Sequence, residues 1–185
     1  MAEVVRFYQI MSDIDVGPLL GQLEQHPELW NSDPSWTEGK PLLYATDNIV
    51  LRYNRSSMPG LYDWNRAAFS HLSAAQPIVF DLMRQIPAEH LGKVMISRLS
   101  PGDKIDWHID QMPPGMVPYF QRYQVPLQVA PGVRFVVEDE DLYMAPGTAW
   151  WFDNQRMHAV FNDSEEVRLS LFADIRPFVP VTLTL

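Results

Sequence analysis

The chain of 185 residues contains no cysteine. That absence excludes disulfides, thiolate metal sites and cysteine nucleophiles. It fits a reducing interior, so a cytoplasmic location is expected. Long apolar runs are missing as well: no window approaches the ~20 uninterrupted apolar residues that a membrane-spanning helix needs. The start, Met1-Ala2-Glu3-Val4-Val5-Arg6, has no basic stretch leading into an apolar one, so neither a signal peptide nor a membrane partner is expected. Positive charge is scarce: 14 Lys and Arg stand against 23 Asp and Glu, a net charge of −9. A chain this acidic has no general attraction for phosphate backbones, which removes nucleic acid from the expected partners. Repeats and low-complexity tracts are also absent.

What is present is the composition of a globular protein, 46% hydrophobic and 20% charged. The length predicts a single domain over residues 1–185 with a substantial core. Sixteen prolines favour turns over long helices. Val4–Tyr8 reads as a short strand, and Asp15 as the cap of a helix running through Leu23 with Pro18 in its first turn. Residues 31–41 read as a loop and Asn48–Tyr53 as a strand. Helical spacing at Trp64, Ala67, Ala68, His71 and Leu72 continues toward Met83, with a break at Gln76-Pro77.

Beyond Pro87 short β-type runs alternate with Pro, Gly and Asp turns. The runs are Lys93–Leu99, Ile105–Ile109, Tyr123–Val129, Val133–Val137, Leu142–Met144, Thr148–Phe152, His158–Phe161 and Val167–Ala173. Short strands after a helical start predict a mainly β fold with N-terminal helices, a double-stranded β-helix or cupin-like jelly-roll barrel. Residues 1–90 then form a strand-and-helix support and residues 91–178 the jelly-roll core. Segment 111–121 is too rich in proline for a central strand and reads as a mouth loop or lid.

The chemistry concentrates in three side chains. His108 and Asp110 form a His-x-Asp pair, and His158 follows the Asp by 48 positions. Alternation along a strand places His108 and Asp110 on one face, separated by Ile109. Two imidazoles and one carboxylate on one side of a metal leave the opposite side open, the arrangement of non-haem Fe(II) oxygenases; the ligand set also permits Mn, Co, Ni or Zn. A His-x-Asp pair alone is commonplace. Here it follows the Pro101-Gly102 turn, and the second His precedes an Arg-containing strand. No catalytic side chain beyond these ligands is expected. His26, His71 and His90 have no Asp at strand spacing and read as ordinary surface or core residues.

Arg168 follows His158 by ten positions, inside the apolar strand Val167-Arg168-Leu169-Ser170-Leu171. A guanidinium there matches a carboxylate with two parallel hydrogen bonds. Arg122 opens another strand with Gln124 on the same face, and Ser97 is the polar residue of an apolar run. These four are candidates to hold a dicarboxylate inside the barrel. Trp107, Tyr119, Trp150 and Arg156 are candidate substrate contacts, with Trp151 read as core. Asp153 and Asn162 are candidates to orient His158.

The stretch Ile96–Asp110, together with Phe152–Asp163 and Val167–Leu171, resembles the aspartyl/asparaginyl β-hydroxylase-like family of 2-oxoglutarate/Fe(II) dioxygenases. The resemblance implies a double-stranded β-helix with iron held by His108, Asp110 and His158. It implies 2-oxoglutarate bound by Ser97, eleven positions before the first His, and by Arg122 and Arg168. Gln124 stands where the enzymes that hydroxylate aspartyl residues have His. The carboxylate ligand Asp110 is a feature shared with the family's small-molecule members, such as proline hydroxylases.

The implied activity is hydroxylation of an unactivated C–H bond with Fe(II), 2-oxoglutarate and O2. The implied substrate is an amino acid or a peptide or protein residue. A non-catalytic cupin-like module that binds metal or ligand without turnover is the alternative. The sequence carries no signature of an oligomeric state.

Overall fold

The computed structural model describes residues 5–33, 45–53, 64–110 and 120–178. In chain order they form β1 (Phe7–Met11), α1 (Gly17–Gln25), a 3-10 turn at Pro27–Leu29, β2 (Thr46–Tyr53), β3 (Trp64–Asn65), α2 (Ala68–His71) and α3 (Ala75–Gln85). Then come β4 (Ala88–Leu99), β5 (Lys104–His108), β6 (Gln121–Gln128), β7 (Val133–Val137), β8 (Glu140–Leu142), β9 (Ala149–Phe152), β10 (His158–Asn162) and β11 (Arg168–Pro177). The strands make two antiparallel sheets, in the order β1-β9-β6-β11-β4-β2-β3 and β5-β10-β7-β8. This is the expected jelly-roll: mainly β, with helices near the start of the chain. β1 and β2, from the first half, are hydrogen-bonded members of the larger sheet, and β4 begins at Ala88, ahead of the expected boundary at 91.

The helices depart from expectation in two details. α3 runs through Pro77, because a proline in the first turn forfeits no intrahelical hydrogen bond. The break falls instead between Leu72 and Ala74. Asp15 is not the cap of α1, since Val16 occupies that position without a side-chain bond. Asp15 Oδ1 accepts the Gly17 N–H at 3.1 Å and closes the preceding turn instead.

Strand alternation divides the larger sheet into two unlike faces. One carries Ile49, Leu51, Val94, Ile96, Tyr123, Val125, Leu171 and Ala173, all buried against Leu19, Leu72, Val79 and Leu82 of the helical layer. Trp151 joins this core, as expected. Burying each of the Val, Leu and Ile side chains among them contributes about 1.5–3 kcal/mol. The opposite face looks into the space between the sheets, and much of it is polar yet buried: Thr46, Asn48, Ser97, Gln124, Arg168, Ser170 and Asp174. A second apolar group, Leu99, Phe135, Val137, Met144, Phe152 and Val160, fills part of that space and ties the sheets together.

Candidate metal centre

β5 reaches the centre through an irregularity. Its register with β10 runs His108 to His158 and then Ile105 to Val160. Three steps on β5 therefore face two on β10, which is a β-bulge at Asp106-Trp107. The bulge lets both Ile105 and His108 point between the sheets, where strict alternation from Ile105 would have aimed Trp107 inward. The His108 and His158 rings face each other with centroids 4.2 Å apart.

Backbone carbonyls set the tautomer of both imidazoles. His108 Nδ1 lies 2.7 Å from the Asp106 carbonyl and His158 Nδ1 lies 2.9 Å from that of Arg156. A carbonyl only accepts, so each Nδ1 carries a proton, and in the neutral ring Nε2 is then the atom with the lone pair. That is the state in which imidazole binds metal, with the second nitrogen fixing ring orientation. His158 is further held parallel to Phe135 and edge-on to Phe152. Burial, with a smaller push from neighbouring cations, lowers its pKa despite the opposing charge of Asp110, which favours the neutral ring.

Asp110 lies beyond the end of β5, so the strand alone does not place it. Its backbone N–H donates to the Asn154 carbonyl at 3.1 Å. Asn154 Nδ2 donates to Asp110 Oδ2 at 3.0 Å, and Arg122 Nη1 donates to the same oxygen. Oδ1 faces His108 Nε2 at 3.8 Å. Ligand atoms from His108, Asp110 and His158 all lie within 4.8 Å of one another. Burial works against the Asp110 charge, but Arg122, His158 and Lys93 outweigh it and hold the pKa down to about 2. Arg122 in turn forms a bidentate pair with Asp174 at 2.7 and 3.0 Å. Burial opposes its charge, and the two carboxylates more than offset that.

Arg168 is 4% exposed and has no hydrogen-bond or ion-pair partner among the described residues. Burial alone pulls its pKa down to about 10. Register fixes its neighbours: Arg168 opposes Leu99, Ser170 opposes Ser97, and Phe172 opposes Gln124. Arg168, Ser170, Ser97 and Gln124 therefore share the inward face. Ser170 Oγ is fully buried and has no hydrogen-bond partner among the described residues. A cation and a hydroxyl left unpaired in one buried slot describe a receptacle for an anion with hydrogen-bond acceptors.

The family model described as aspartyl/asparaginyl beta-hydroxylase matches residues 56–177, more than half of the chain. The chain belongs to this family. No curated protein is similar enough to match. Among solved structures, an oxidoreductase of the 2OG-Fe(II) oxygenase family from Burkholderia pseudomallei is similar at 16% identity, with a TM-score of 0.56. That match covers 71% of this chain and 66% of the other, just under two thirds of its length. A Pseudomonas putida prolyl-4-hydroxylase has 13% identity and a TM-score of 0.52, over 94% of this chain and 93% of that one. A Trichoplax adhaerens prolyl hydroxylase, solved with a hypoxia-inducible-factor peptide fragment, has 12% identity and a TM-score of 0.56, over 92% and 83%. At these identities the likeness shows a common fold.

In this hydroxylase-family chain the remaining expected residues fall in different places. Trp150 points between the sheets against the second apolar group, its indole N–H donating to Thr148 Oγ1 at 2.7 Å. Trp107 is not brought to the centre. The bulge turns it outward, 42% exposed and edge-on to Phe161. Arg156 lies behind His158 and is held by Glu138 at 2.8 Å and Asp153 at 2.9 Å; its carbonyl, not its guanidinium, serves the site. Tyr119 and most of segment 111–121 lie outside the described residues, while Gln121 already belongs to β6. Asn162 does not touch His158, because its amide donates to the carbonyls of Leu99, Ser100 and Glu166 and pins two loops. Asp153 accepts from Arg156 and the Gln155 N–H, so it reaches His158 only through Arg156. Sequence reasoning missed Asn154, Ser170 and Asp174. Ser170 had a signal: a small polar residue two positions after Arg168 in an apolar strand.

Proposed function

We propose that the protein is a 2-oxoglutarate- and Fe(II)-dependent dioxygenase that hydroxylates an unactivated C–H bond of an amino acid or of a residue in a peptide. The observation that carries this reading is Arg168, a buried cation without a counter-ion among the described residues, in the same inter-sheet space as the three converging ligands. A barrel that only stored a metal would gain nothing from such a cation, whose desolvation is costly when unpaired. A keto dicarboxylate supplies the missing charge. Family membership supports an enzyme, and the neighbour with a bound peptide fragment supports a peptide-sized substrate.

The donor set fits ferrous iron: two imidazoles whose Nδ1 atoms are taken up by backbone carbonyls, one ionised carboxylate and no thiolate. His108, Asp110 and His158 would hold the ion. Bound there with 2-oxoglutarate and O2, it would supply the oxidative chemistry by which the keto acid becomes succinate and CO2 and the substrate C–H bond becomes C–OH.

The chain's own side chains have separable tasks. The Asp106 and Arg156 carbonyls keep both imidazoles in the ligating tautomer. Arg168 takes the far carboxylate of the cosubstrate, with the Ser97 and Ser170 hydroxyls and the Gln124 amide beside it. Arg122 is committed to Asp110 and Asp174, which makes Arg168 the better anchor. Phe135 and Phe152 exclude water behind His158.

The test is succinate release from 2-oxoglutarate with iron and ascorbate, screened over free amino acids and short peptides with and without O2. Oxygen-dependent succinate formation stimulated by a substrate is expected. Metal binding without any 2-oxoglutarate consumption would overturn the proposal in favour of a non-catalytic cupin-like module.

A further inference from the structure

Asp174 is not a ligand, yet a chain of charged contacts ties it to one. It sits on β11 opposite Arg122 of β6. Arg122 donates from Nε to Asp174 Oδ1 and from Nη2 to Oδ2, a parallel fork. The guanidinium also lies over the Phe172 ring, 4.9 Å from its centroid. Fork and ring together fix the guanidinium plane. The nitrogen outside the fork, Nη1, meets Asp110 Oδ2. Asn154 donates to that same oxygen, so Oδ1 is left facing His108. Lys93 Nζ is the second cation on Asp174, at 3.2 Å. Among the described residues, two carboxylates and two cations thus meet in one buried cluster.

We propose that Asp174 is a positioning residue for the metal carboxylate: by gripping Arg122 it fixes which oxygen of Asp110 is hydrogen-bonded and which is offered to the ion. The inference rests on reading His108, Asp110 and His158 as the metal centre. A guanidinium facing Asp110 alone would turn its own fork on that carboxylate, engage both oxygens and compete with an incoming cation. With Nε and Nη2 held by Asp174, Arg122 makes a single contact to Asp110. Asp174 also offsets a positive charge that would otherwise repel the ion.

Titration with Co(II) alone, followed by its visible bands, tests this without turnover. Asp174→Asn is expected to weaken Co(II) binding about ten- to a hundredfold and to alter the band pattern. Arg122→Lys keeps the charge but loses the fork, and is expected to do the same. A merely structural role for Asp174 would lower the melting temperature while leaving affinity and bands of the folded protein unchanged, and that result overturns the proposal. If Asp174→Asn does not fold, Arg122→Lys decides alone, and wild-type affinity and bands in that variant overturn it. Absence of Co(II) binding by the wild-type chain would overturn this inference together with the metal-centre reading. Equal binding by all three chains would overturn this inference and leave that reading standing.

Discussion

His108 and His158 are registered partners across β5 and β10, each with Nδ1 tied to the carbonyl two residues earlier in its own chain segment. The repeated local bond gives two chain-distant rings the same tautomer. Replacing His108 with Ala removes one lone pair at a strand position that is only half-buried. Succinate formation should vanish, with stability changed by about 1 kcal/mol and the melting temperature by about 2–4 °C. Assays of succinate and circular-dichroism melting check both parts. Wild-type turnover in this variant would remove His108 from the ligand set.

Arg168→Met exchanges a buried cation, unpaired among the described residues, for an apolar chain of similar length. The 2-oxoglutarate KM should rise about ten- to a hundredfold, from the loss of a charged hydrogen bond of about 1.5–3 kcal/mol. The chain without cosubstrate should be at least as stable as wild type, because no ion pair among the described residues is broken and one desolvated charge is gone. A cosubstrate titration and a melting curve read the two effects. An unchanged KM would shift the anchor to Arg122.

Asp47 tests the electrostatics away from the centre. It accepts from Arg98 at 2.9 and 2.6 Å and from Asn31 at 2.6 Å. Burial opposes the charge, but these bonds prevail and lower its pKa from 3.8. A carboxyl whose pKa is depressed in the folded state contributes stability that is complete above 3.8 and lost as pH falls through the folded value. Asp47→Asn should therefore melt lower than wild type at neutral pH, with the gap closing only below pH 3.8. Melting both chains across that range is the check, and a gap that stays constant would count against the pair.

Gly102 and Gly147 share a left-handed backbone, with φ of +77° and +76°. A Cβ at Gly102 meets nothing within 4 Å, whereas at Gly147 it would lie 2.8 Å from the Ile14 carbonyl oxygen. Gly102→Ala should cost about 1 kcal/mol for the backbone alone. Gly147→Ala should cost clearly more, since the Gly147 carbonyl also accepts the Ile14 N–H at 2.9 Å and the contact cannot simply open. Urea denaturation of the two variants measures the difference. Equal losses would contradict that close approach.

The jelly-roll was legible because proline and glycine turns punctuate short apolar runs, and the ligand trio because a His-x-Asp pair after a Pro-Gly turn is followed by a second His ahead of an Arg-containing strand. The bulge at Asp106-Trp107 was not legible. A period of two read from Ile105 aims Trp107 inward, and only pairing with β10 reveals the extra residue. Asn154 and Asp174 were hidden for a related reason. They act on Asp110 and Arg122 across 44 and 52 positions of chain, and no local pattern marks such a partner. Pro77 misled in the opposite sense: a residue that breaks helix interiors is harmless in a first turn.

β5 is the outermost strand of the smaller sheet, bonded to β10 and to no other strand among the described residues. It carries His108, and Asp110 follows directly from its end, whereas His158 belongs to the interior neighbour. An ion gripped by all three would act as a rivet between rim and interior. Peeling of that rim would discard two donors together, so metal retention and hydrogen-exchange protection of Lys104–His108 should rise and fall as one.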